Sequence, residues 1–124
     1  MTGPHRSTLD HAINGLEQAL DRPRRHHMWR WLVRHRLAAV ADALRDEAPA
    51  SSDAWLAPRE ESLLREREHL GHRIAELGAL VLEHPDLEPV RLQVRRLVAE
   101  LERHRQRLND LVYDTVSLEL GGSE

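Results

Sequence analysis

The chain of 124 residues has no cysteine and no lysine. Without thiols there can be no disulfide, no thiolate zinc site and no cysteine nucleophile, so stability has to come from packing. All 18 basic residues are arginine, a bias that a GC-rich coding sequence explains more simply than a demand for guanidinium. No apolar run approaches the roughly 18 residues of a membrane span. The opening MTGPHRSTLD also lacks the apolar stretch of a signal peptide. The expected location is therefore the cytoplasm. There is no glycine-rich phosphate loop, and Ser51 and Ser52 have no histidine near them in sequence. Acidic neighbours such as Glu60 and Glu61, or Asp10 and Glu17, read as helix-surface charges. No reaction is assigned. A net charge of -3 argues against a chain that is globally a nucleic-acid binder.

What the sequence does contain is apolar residues at helical spacing. Leu9, Ala12, Ile13, Leu16, Ala19 and Leu20 form one stripe, predicting a first helix over about 5–22 that Pro23 ends. Trp29, Val33, Leu37, Val40 and Leu44 form a second over about 24–47. Beside it run Met28, Trp31, Leu32 and Ala39, so this helix is expected to be buried on more than one side. Ala48 to Pro58, with two prolines and two serines, reads as a loop that tucks Trp55 and Leu56 back on the core. Leu63, Leu70, Ile74, Leu77 and Val81 mark a third helix over about 59–83, broken by HPDLEP. Val94, Leu97, Leu101, Leu108 and Leu111 mark a fourth over about 89–118, for which Gly121 and Gly122 offer a left-handed end. Short connections make neighbours antiparallel. The predicted fold is one all-α domain over 1–124, an up-down-up-down four-helix bundle.

Nine histidines in a chain of this length raise the question of metal. At about 100° per residue, His11, His35 and His72 point away from the stripes and His69 lies on a flank. Read the same way, His26, Glu47, Glu66, His84 and His104 point inward, as does His5 if the first helix reaches it. His104 stands where the pattern of its helix calls for leucine. His5, Glu66 and His104 share one level, and His26 and His84 meet near the other end. Two imidazoles and a carboxylate have the chemistry of a site for Fe(II), Zn(II) or Mn(II). The alternative is a buried His104–Glu66 hydrogen bond with no metal, which satisfies both groups and fixes helix register.

The order of helices, with LDHAINGLEQAL, REREHLGHRIAEL and HRQRLND as they stand here, resembles the hemerythrin-like, histidine and glutamate cation-binding bundles. The resemblance implies a non-haem iron centre that takes up or senses dioxygen. It maps that centre onto His104 with Asp110, His69 in the third helix and Glu47 in the second. The ligand set is degenerate: Ala43 stands four residues before Glu47, and Arg73 four after His69.

A reading of another class rests on RPRRHHMWRWLVRHR, which has six arginines, two tryptophans and no acid. On a helix its arginines flank the apolar stripe on both sides, as a solvated border with stems over tryptophan rather than one phosphate-binding face. The second strip, with Trp31, Met28 and Leu32, then offers a surface for a protein partner or a second copy.

Overall fold

The computed structural model describes residues 8–21, 26–46 and 57–121. Among the described residues there are four α-helices and no strand: α1 Thr8–Asp21, α2 His26–Arg45, α3 Ala57–Glu83 and α4 Leu87–Gly121. α1 packs against α2 and α4, α2 against α3, and α3 against α4. This closes an up-down-up-down four-helix bundle.

Each predicted stripe lies in the core. Leu9, Ile13, Leu16 and Leu20 of α1 meet Trp29, Val33, Leu37, Val40 and Leu44 of α2, Leu70, Ile74, Leu77 and Val81 of α3, and Val90, Val94, Leu97 and Leu101 of α4. Full burial of one such side chain contributes roughly 1.5–3 kcal/mol. Trp29 is covered from above by the guanidinium of Arg91, 5.4 Å from its ring centroid. Leu63 and Leu111, with Leu108 beside them, form a separate small cluster. Among the described residues no helix is long and apolar enough to cross a membrane.

Helix ends differ from the predicted ones for local reasons. α3 starts at Ala57, two residues early, with Pro58 in its first turn, where the missing N–H costs nothing. α4 starts at Leu87 rather than Pro89, because Asp86 caps it: Glu88 N–H donates to Asp86 Oδ1 at 3.3 Å. Pro89 is then the third helical residue, still among the N–H groups that have no partner inside a helix. The turn is tightened further where Asp86 N–H donates to Nδ1 of His84 at 3.0 Å. α4 runs on through the VSLEL segment to Gly121. No described glycine adopts a left-handed φ, and Gly122 lies outside the described residues, as do residues 5–7, where the predicted first helix begins, and the loop with Trp55 and Leu56.

The expectation for α2 needs correcting. It is buried on one side only: Met28 is 43% and Trp31 62% exposed, and Leu32 and Ala39 are half-buried. Trp31 stands two residues from Val33, about 200° around the helix. The flanking sectors of α2 are already taken: Arg36 packs beside Gly15 of α1, and Arg30 donates to Val81 O and Leu82 O of α3 at 2.9 and 3.2 Å.

Candidate functional site

Glu66 lies 17 residues before the end of α3 and His104 17 residues after the start of α4. At about 1.5 Å per residue the two therefore stand level across an antiparallel hairpin. They meet there: His104 is completely buried, and its Nδ1 is 2.7 Å from Oε1 of Glu66. A carboxylate only accepts, so Nδ1 carries the proton. Glu66 is also held by Arg107, whose Nε donates to Oε1 at 3.3 Å and whose terminal nitrogen pairs with Oε2.

This cluster is one rung of a ladder. Arg59 pairs with Asp114 at 2.6 Å, Glu66 with Arg107, and Arg73 with Glu100 at 2.6 Å. The partners recur every seven residues, 59, 66 and 73 on α3 against 114, 107 and 100 on α4. Their polarity alternates. Sliding one helix by seven residues would set Arg59 against Arg107 and Glu66 against Glu100, so the ladder penalises the nearest wrong register. Reading the stripes one helix at a time misses this set. The signal that finds it is opposite charge at positions whose numbers sum to a constant.

A carboxylate on Nδ1 is also the arrangement that orients a metal-binding imidazole. A centre needs further donors, however. Among the described residues no group of three or more His, Cys, Asp or Glu is placed to hold a metal ion. His69 is exposed on the surface of α3, as are His11, His35 and His72 on their helices and Asp110 on α4. Glu66, the carboxylate at hand, already carries an arginine, which competes with any cation. His5, Glu47 and the side chain of His26 lie outside the described residues. The predicted meeting of His26 with His84 does too, and His84 itself is half-buried and caps the α3–α4 turn. The described donor set thus does not fit an iron, zinc or manganese centre.

On the seam between α1 and α4, Glu17, Asp21 and Glu102 line a groove of about 250 Å³ together with Arg95. Partial burial raises the Glu17 carboxyl above its ordinary range, with further contributions from the charge and hydrogen bond of Glu102 and the charge of Asp21; Arg105 acts the other way. Arg95 is paired with Asp21 at 2.5 Å and Arg105 with Asp10 at 3.3 Å.

The outer face of α2 is different in kind. Trp31 and His35 stack in parallel, with ring centroids 5.4 Å apart and planes 4° from parallel. One face of Trp31 thus meets an exposed imidazole. Met28 precedes this pair on the same exposed face, and Leu32 borders it.

The chain matches no family model, no curated protein and no solved structure. The likeness to hemerythrin-like bundles rests on the sequence segments alone.

Proposed function

We propose that this protein is an interaction module: a four-helix bundle that presents the outer face of α2 to a protein partner. The observation that carries this reading is Trp31, 62% exposed and stacked on His35. A large aromatic left on the surface beside Met28 gains its burial energy only when another surface covers it. Tryptophan and arginine are the side chains that most often anchor protein interfaces, and Arg34 is exposed on the same helix. The expected setting is the cytoplasm.

A photo-reactive amino acid at position 28 or 31, with position 72 on α3 as an exposed control, tests the reading in cells. It predicts adducts from the α2 positions and none from position 72. Adducts from neither, or equally from both, overturn it.

A second reading, metal binding with dioxygen or redox sensing, is favoured by one observation, the carboxylate-oriented His104. It requires donors beyond His104 and Glu66. Metal analysis decides it independently of the α2 experiment.

A further inference from the structure

Around Trp31 the outer surface of α2 is apolar in the middle and cationic at its borders. Met28, Trp31 and His35 are exposed, and Leu32 is half-buried beside them. Arg34 stands one turn after Trp31, and Arg36 one turn after Leu32; both are exposed. Arg34 also lies one turn beyond Arg30, on the flank that meets α3, whereas Arg36 lies along α1 beside Gly15. The two arginines therefore bracket the apolar patch from opposite sides.

Neither of these two charges has a carboxylate within ion-pair distance among the described residues. From His26 to Ala41, α2 has no acid at all, and Asp42, the first, is paired with Arg45. The acids of α1 are turned to α4: Asp10 pairs with Arg105, Asp21 with Arg95, and Glu17 shares a groove with Glu102. Arg30 is already engaged at the negative end of α3, through Val81 O and Leu82 O. That contact also sets the level of the two helices and places Arg34 and Arg36 near residues about 75–78 of α3. The acid there, Glu76, lines the groove towards α4 with Arg73. In a chain of net charge -3 this is a local patch of the opposite sign.

We infer that the partner of this face is an acidic protein segment, an apolar strip bordered on both sides by carboxylates. This inference rests on the reading of α2 as an interaction surface and adds the chemistry of what it binds. Each part of the patch then meets its complement. Apolar side chains of the partner cover Trp31 and Met28. Its carboxylates take charge-assisted hydrogen bonds from Arg34 and Arg36, which also select against basic partners. A nucleic acid fits less well, since a phosphate backbone calls for a row of cations and here the arginines are separated by apolar side chains.

Fluorescence anisotropy of the purified full chain with a labelled helical peptide of leucine and glutamate tests this, beside the same peptide with glutamine or lysine in place of glutamate. The glutamate peptide is expected to bind at least tenfold tighter than the glutamine one, a margin that shrinks as salt is raised, and the lysine peptide weakest. Arg34→Glu, at an exposed site that leaves the core untouched, is expected to abolish the margin without changing the circular dichroism. Trp31→Ser is expected to weaken the glutamate and glutamine peptides alike and keep the margin. Three results would overturn the inference: equal binding of the glutamate and glutamine peptides, a margin unchanged in Arg34→Glu, or tighter binding of single-stranded DNA or phosphatidylserine vesicles than of the glutamate peptide. Any of these together with α2 adducts in cells removes the acidic partner and leaves the interaction reading standing. Absence of α2 adducts removes both, whatever the peptides do.

Discussion

Nδ1 of His104 lies 2.7 Å from a carboxylate oxygen of Glu66, and the same carboxylate is gripped from the other side by Arg107. Three side chains from two helices thus form one bonded unit whose innermost member is fully buried and whose outer members reach solvent.

The unit is asymmetric to mutation. Removing the carboxylate with Glu66→Ala takes the Nδ1 partner from a buried imidazole, at a cost of about 1–3 kcal/mol. Replacing the imidazole with His104→Leu leaves Glu66 with Arg107 and water, and fills the apolar position with an apolar side chain, at a cost below about 1.5 kcal/mol. Urea unfolding should therefore rank Glu66→Ala as the less stable variant. The opposite order would show that His104 owes its place to packing alone.

Metal content is the next prediction. Protein made without a histidine tag in medium supplied with iron, zinc and manganese is expected to carry well under one equivalent of any of them. Stoichiometric metal that disappears in His104→Ala would reverse this and make the second reading the leading one.

On the α1–α4 seam the prediction is a pH effect. The Glu17 carboxyl is raised, chiefly by burial and then by Glu102 and Asp21. A raised acid binds its proton more tightly in the fold than in the open chain. Its contribution is therefore fully present below the ordinary carboxylate pKa and is lost as pH rises through the raised value. Glu17→Gln is expected to stabilise the protein at neutral pH by a few tenths of a kcal/mol, the scale of a partly exposed charge contact. It should also flatten the pH dependence of the thermal midpoint between weakly acidic and neutral pH. A variant that follows the parent curve would refute the assignment to Glu17.

Gly71 and Gly78 sit inside α3, where, beyond the local backbone and the adjoining residues, nothing lies within 4 Å of the position a Cβ would take, and neither has a left-handed φ. Alanine fits there without a clash and favours the helix. Each substitution is expected to stabilise by about 0.5–1 kcal/mol, measured as a rise in the urea midpoint at constant slope. A loss of stability would mean that these positions are covered in solution.

Much of this was legible in the sequence because it depends on one helix at a time. The stripes through Val33, Ile74 and Val94 needed only the helical period, and His104 stood out as a polar residue on such a stripe. What failed depended on neighbours. Met28 and Trp31 read as a second buried strip because their apolar character was visible, whereas the packing of Arg36 beside Gly15 and the reach of Arg30 to Val81 were not. The ladder of Arg59, Glu66 and Arg73 needed the register of two helices at once. The cap at Asp86 is hard to see in the sequence because Pro85 and Pro89, on either side of it, dominate the HPDLEP segment.

Unequal helix lengths have a consequence of their own. At about 1.5 Å per residue the 35 described residues of α4 extend about 52 Å, while the 14 described residues of α1 extend about 21 Å. The shortest described helix therefore leans on partners that also pack on each other without it, since α3 and α4 are in direct contact and share the separate Leu63–Leu111 cluster. Amide hydrogens of α1 should accordingly exchange with solvent by an opening smaller than global unfolding. Those around Val94 to Leu101 should wait for the whole chain to open. The molecule would then come apart in a fixed order, α1 before the α3–α4 hairpin.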